Sequence, residues 1–232
     1  IVLYSFFIHW NESQIVYLQA VIIIVNHHKN SIRRYWKSNF YAFAVYSAHR
    51  DRAIPDISPC CNRIVRSNDW YAGPVDKQTP LMLQKLLYFV QGVSCALYKE
   101  PLLSEDCQAW VHGPVYPQVY DMFRDFKFNP IEDARFAILE GMEDALDEKK
   151  RRVVDLVVDT FGEYGGKRLE KITHEEKPWK IARKGYSDGI RSNEIILKEN
   201  IAAYYIKINQ KYDFSQKEGI QRYINDALRL HV

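Results

Sequence analysis

Residues 83–120 read LQKLLYFVQGVSCALYKEPLLSEDCQAWVHGPVYPQVY, and the change of hydrophobic period within this stretch decides the fold. Thr79 followed by Pro80 marks a helix start, with a hydroxyl N-cap and proline in the first turn. Leu83, Leu86, Leu87, Val90 and Leu97 then recur at helical spacing, which predicts a core-facing helix. Gly92 interrupts it at a cost of about 1 kcal/mol relative to alanine, consistent with close approach of another element or with a merely tolerated glycine. Past Pro101 the pattern shortens. Residues 108–112 predict a strand, Gly113-Pro114 a turn, and Pro117 the start of a helix whose apolar stripe is Val119, Tyr120, Met122, Phe123 and Phe126.

Working outward, residues 136–139 form a short apolar run that suits a strand or a buried turn equally. From Asp147 a longer helix follows, with Val153, Val157, Thr160, Phe161 and Tyr164 on one stripe and Gly165-Gly166 at its end. Residues 168–172 predict a short helix, and Pro178 suits the first turn of the next, which Gly185 stops. Ile201, Tyr204, Tyr205 and Ile208 mark another helix after a loop at residues 187–192. Ser215-x-x-Glu218 has the form of a capping box before a last helix faced by Ile220, Tyr223, Ile224, Ala227 and Leu228. The fold class is therefore mainly α: a compact multi-helix domain with a small β-hairpin or sheet element.

A chain of 232 residues buries a core without disulfides or metals, and Cys60, Cys61, Cys95 and Cys107 match neither a zinc spacing nor a secreted disulfide framework. A cytoplasmic location follows as the expectation. Residues 1–66 hold eight Lys/Arg against three Asp/Glu, leaving 24 against 26 in the remainder, and the first glycine is Gly73. With the initial Ile1, these features predict an N-terminal extension of separate history. Residues 1–25 are apolar but split by Asn11-Glu12-Ser13-Gln14 into runs shorter than the ~18 residues a membrane span needs. The run at residues 30–37, NSIRRYWK, is basic and aromatic, and suits solvated surface better than nucleic-acid contact.

The sequence supplies no catalytic constellation. His112 and His174 are the candidates for a general base or metal ligand. Each also has a structural reading, His112 bridging the Gly113-Pro114 turn and His174 beginning the helix that Pro178 continues. His174-Glu175-Glu176 lacks the second histidine of a zinc helix, and Tyr164-Gly165-Gly166-Lys167-Arg168 lacks the spacing and hydroxyl of a phosphate loop. Cys95 and Cys107 read as core residues. The carboxylates of Glu140, Glu143, Asp144, Asp147 and Glu148 read as a solvated acidic linker. No metal, cofactor or small-molecule substrate is expected, and the chain is not read as an enzyme. Trp110, Tyr116, Tyr120, Trp179 and Tyr186 lie beside turns, where aromatics anchor protein interfaces; Trp110 and Trp179 read as wedges between helices, with partner contact falling to neighbouring loop residues.

Three ordered blocks carry a resemblance: the helix from Leu83 to Gln91, Ala109-Trp110 with Gly113-Pro114-Val115, and Thr173-His174-Glu175-Glu176-Lys177-Pro178-Trp179. Together, over residues 76–208, they resemble the Panacea, or SocA-like antitoxin, domain family, whose members are bacterial and phage-associated. The resemblance implies a non-enzymatic antitoxin that binds and neutralises a cognate protein toxin, with a Clp-type protease as a further partner in one type of relative. It implies a division into an extension at residues 1–66, the family domain at 67–209 and a C-terminal helix at 210–232. It also singles out Trp110, His112, Gly113, Pro114, Tyr116, Tyr120, Thr173, His174, Pro178, Trp179 and Tyr186 as fold-defining or toxin-contacting. The alternative from another class is a phage-associated regulator that binds nucleic acid through the basic N-terminal segment.

Overall fold

The computed structural model describes residues 57–67, 78–131 and 146–229. The N-terminal apolar and basic runs, the short run at 136–139, and Glu140, Glu143 and Asp144 of the acidic cluster lie outside them. The described elements belong to a unit spanning Ala53–Val232. In chain order they are α1 (Ser58–Ser67), α2 (Pro80–Tyr98), β1 (Cys107–Trp110), β2 (Gly113–Val115), α3 (Pro117–Phe123) with a 3-10 turn at Arg124–Phe126, α4 (Glu148–Phe161), α5 (Gly166–Glu175), α6 (Lys177–Ala182), β3 (Ile195–Ile196), α7 (Lys198–Tyr212) and α8 (Lys217–Arg229). The mainly helical class with a small sheet is thus observed.

The predicted helix after Thr79-Pro80 is α2, and the Thr79 hydroxyl accepts from the Met82 N–H at 3.3 Å. The apolar spacing suggested one buried face, but α2 is buried all round from Met82 to Ala96. Helices α1, α4, α5 and α7 and strand β2 surround it. Among the described residues it is the one helix long and apolar enough to cross a membrane, and here protein encloses it. Phe89 of α2 stacks on Phe161 of α4 with ring centroids 4.1 Å apart. Where α7 crosses, Gly92 meets the Tyr205 ring.

A polar side chain inside such a helix must find a partner, and α2 uses its polar residues to hold neighbouring loops. Gln84 accepts from the Tyr116 N–H at 2.8 Å and donates to the Tyr116 carbonyl at 3.3 Å. Gln91 accepts from the Leu102 and Leu103 amides at 2.9 and 2.8 Å, and Ser94 donates to the Glu100 carbonyl. These bonds fix the chain from α2 into the sheet.

The sheet has the order β2-β1-β3. In the hairpin Gln108 pairs with Val115, Ala109 with Pro114 and Trp110 with Gly113, so Val111-His112 form a two-residue turn. Proline is tolerated in β2 because that strand is an edge. Strand β3, absent from the sequence reading, pairs antiparallel with the other side of β1, Cys107 opposite Ile196 and Gln108 opposite Ile195.

Three local expectations are corrected. Helix α4 ends at Phe161, and Gly165-Gly166 instead opens α5, where a side chain at Gly166 would press on Leu81 and Met82. Ser215 does not cap α8; its hydroxyl donates to Asp213 at 2.6 Å. Asp147, read as part of an acidic linker, caps α4 by accepting from the Lys150 N–H at 2.7 Å.

The boundary expected between residues 66 and 67 falls inside α1. Cys60, Cys61, Ile64 and Val65 of that helix are in the core, and Arg63 makes a two-pronged ion pair with Asp155 of α4 at 2.7 and 2.6 Å. A chain beginning at Ser67 is expected to lose cooperative unfolding, because each large buried side chain removed carries about 1.5–3 kcal/mol. One beginning at Ala53 is expected to keep it, and urea unfolding of both tests this. Gly92→Ala places a Cβ 2.4–2.6 Å from the Tyr205 ring, and overpacking of this kind is expected to cost about 1–3 kcal/mol in the same assay.

Candidate functional site

The second motif breaks one helix and starts another. Helix α5 stops at Glu175, Glu176 is extended at φ −77° and ψ 137°, and Pro178 sits in the first turn of α6. The break sends the Glu176 side chain into the core, where it is 1% exposed. Tyr88 of α2 donates to its Oε2 at 2.7 Å, and Tyr205 of α7 and Tyr223 of α8 donate to its Oε1. Burial pushes this carboxyl up to about 7 against the pull of the three hydroxyls. A carboxylate sealed in this way is a structural tie and not an accessible acid.

Beneath the hairpin turn lies a second buried charge. Lys85 is 0% exposed and donates from Nζ to the Pro114 carbonyl at 2.8 Å. Burial lowers it to about 7. Gly113, at φ +92°, leaves no room above it: a Cβ there would lie 2.7 Å from Thr173 Oγ1 and 2.9 Å from Lys85 Nζ. This accounts for the glycine, the lysine and the threonine of the separate motifs at once.

On the outer side, His112 is exposed and its Nδ1 lies 3.0 Å from Glu170 Oε1, while Lys167 donates to the other oxygen at 2.8 Å. Burial would raise the Glu170 carboxyl, but the hydrogen bonds from Lys167 and His112 outweigh it and hold it below its ordinary value. His174 stacks on the Trp179 ring with centroids 4.2 Å apart, and burial lowers its pKa. The thiols are poor nucleophiles, since burial raises Cys107 to about 12 and Cys95 to about 11. Among the described residues no group of three His, Cys, Asp or Glu side chains could hold a metal ion.

What these residues do build is a band of aromatic rings. Tyr120 and Trp110 meet edge to face at 4.8 Å, and Trp179 donates from Nε1 to the Trp110 carbonyl at 3.1 Å. Arg183 lies over the Trp179 ring at 5.2 Å and the Tyr186 ring at 5.7 Å. Its guanidinium donates to the Ala109 carbonyl at 3.1 Å and the Ile190 carbonyl at 2.8 Å. Trp110 and Trp179 are half-buried, joining the hairpin to α6, and Tyr120 and Tyr186 are exposed. Tyr116, Pro114, Thr173 and Pro178 are buried. Of the residues singled out in the sequence, Trp110, Tyr120, His174, Trp179 and Tyr186 therefore share one surface, and the others sit beneath or beside it. Sequence reasoning missed Glu176, Lys85 and Arg183. Lys85 stood inside the quoted helix motif as a charged residue among core positions, a usable signal, whereas Glu176 lies between Glu175 and Lys177 and, like Arg183, gave none.

The geometry defines a helical domain with a small sheet and an aromatic surface over a sealed polar interior. Residues 83–180 match the family model described as antitoxin SocA-like, Panacea domain. It is similar to the protein named Antitoxin SocA of Caulobacter vibrioides (strain NA1000 / CB15N), 26% identical over 140 residues that span 56% of this chain and 74% of the relative. No solved structure matches.

The two buried charges make stability depend on pH in opposite senses. Between 4.5 and about 7 native Glu176 keeps a proton that the unfolded chain has released, so stability falls as pH rises through that window, by about 3 kcal/mol in all. Between about 7 and 10.5 the unfolded chain keeps a proton that native Lys85 has released, so stability rises with pH. Glu176→Gln is expected to remove the acid-side fall and Lys85→Met the alkaline-side rise, read from urea midpoints at several pH values. A difference between wild type and Glu176→Gln that stays constant across the lower window would refute the assignment.

Proposed function

We propose that this protein is an antitoxin that neutralises a cognate protein toxin by binding it directly in the cytoplasm, without catalysis. The observation that carries the reading is the match of residues 83–180 to the SocA-like antitoxin family. The site agrees with it in kind. Its ionisable groups are locked into structural bonds, whereas its aromatic side chains stand at the surface, as protein-binding surfaces require.

The test is co-expression with the product of the adjacent gene. Growth is expected to stop when that product is made alone and to resume when this chain is made with it. A neighbour that is harmless alone, or toxic but not neutralised, would overturn the proposal. Repeating the rescue in a host lacking Clp proteases separates two routes: rescue that persists means blockade by binding, and rescue that is lost means delivery for degradation.

A further inference from the structure

Among the described residues, five of the seven exposed large apolar side chains fall between residues 181 and 197, on the packed elements α6 and β3, the loop joining them and the start of α7. Ile181 of α6, Ile190 in the following loop, Ile195 of β3 and Leu197 at the start of α7 are 54, 55, 46 and 53% exposed, beside Tyr186 at 38%. The face is held in shape from below. Arg183 binds the Ile190 and Ser187 carbonyls, Tyr186 donates to Glu194 at 2.8 Å, and the Ala109 N–H donates to the Glu194 carbonyl at 2.8 Å. An ordered apolar patch joined to an aromatic band is the form of a protein contact rather than of chance exposure.

Two features say what it fits. The first is backbone. Gln108 stands opposite Ile195, and the bond from Ala109 to Glu194 fixes the ladder's phase, so the Ile195 N–H and C=O point away from β1 toward the open edge. The second is charge. Residues 177–198 carry Lys177, Lys180, Arg183, Lys184, Arg191 and Lys198 against Asp188 and Glu194. Lys180 is paired with Glu175 and Lys198 with Asp106. Arg183 is buried on carbonyl groups, and Glu194 holds the Tyr186 hydroxyl. Lys177, Lys184 and Arg191 are exposed, and among the described residues they have no carboxylate within ion-pair distance. An apolar edge rimmed by unneutralised cations is complementary to an apolar segment flanked by carboxylates.

We propose that the face formed by α6, the loop through Ile190 and β3 is where the toxin docks, and that it receives an extended toxin segment bearing apolar side chains between Asp or Glu residues. This rests on the antitoxin reading above and assigns that activity to a surface. The segment lies along the β3 edge, takes as its first backbone bonds the Ile195 N–H and C=O, which have no partner among the described residues, and sets its carboxylates against Lys184 and Arg191.

The experiment uses the full chain and the product of the adjacent gene, with growth rescue and direct binding as readouts. Ile190→Asp with Ile195→Asp is expected to abolish rescue while the melting temperature holds. Phe128→Asp, at a side chain 88% exposed outside this face, is expected to rescue as the wild type does. Lys184→Glu with Arg191→Glu is expected to weaken binding about tenfold at low salt, the deficit shrinking at about 0.5 M salt. If the aspartate pair fails to fold, Ile190→Ser and the charge reversals decide the matter. Full rescue by the face variants would overturn this surface and leave the antitoxin reading standing. Failure of the wild-type chain to rescue would overturn both.

Discussion

Glu176 is the point on which the rest of the structure depends. One carboxyl receives hydroxyl donors from Tyr88, Tyr205 and Tyr223, so a single side chain ties α2, α7 and α8 to the junction of α5 and α6. Hydrogen bonds to a charged acceptor are stronger than neutral ones, yet taking a carboxylate out of water costs more still. The balance leaves Glu176 near 7, and burial keeps the three phenols protonated as donors. Replacing the group by a hydrocarbon would strand three buried hydroxyls. Because α6 begins one residue beyond it, Glu176 also determines where Trp179 and Arg183 stand, and through them the loop that leads to β3.

The central helix explains how so small a sheet is held. A helix enclosed on every side has no solvent to satisfy its polar residues, and Gln84, Lys85, Gln91 and Ser94 each answer a backbone group in the sheet or the loops around it. Three short strands would be marginal alone. Here the backbone on either side of the hairpin turn is clamped by side chains from below, and Gly113 supplies the closeness that lets Lys85 reach the turn.

Much of this was legible in the sequence, for identifiable reasons. Proline at first-turn positions and apolar residues at helical spacing are local signals, so Pro80, Pro117 and Pro178 each began a helix where expected. Termini were harder: Gly165-Gly166 looked like a stop but serves as a start, because a glycine required by packing against Leu81 is indistinguishable in sequence from one required by a left-handed cap. Helix α1 was only a faint candidate in the sequence although Ile57, Cys60, Cys61, Ile64 and Val65 recur at helical spacing and are all buried, because the stripe is short and built partly on cysteine. Strand β3 is two residues long, and only its pairing with β1 makes it a strand. The aromatic members of the candidate surface could be named in advance, but Arg183 could not, because its role is to join the Ala109 carbonyl of the distant β1 to the Ser187 and Ile190 carbonyls of its own following loop.

The four cysteines offer a last consequence. Cys60, Cys61, Cys95 and Cys107 are reduced thiols in the core, and burial raises Cys61, Cys95 and Cys107 above the range in which thiolates form readily. Alkylating or oxidising reagents therefore meet an inert protein until the core opens. The rate at which thiols become labelled is a clock for that opening, read without an attached probe. In a mixture with a toxin, slower labelling at unchanged reagent concentration would register the complex as added protection of the core.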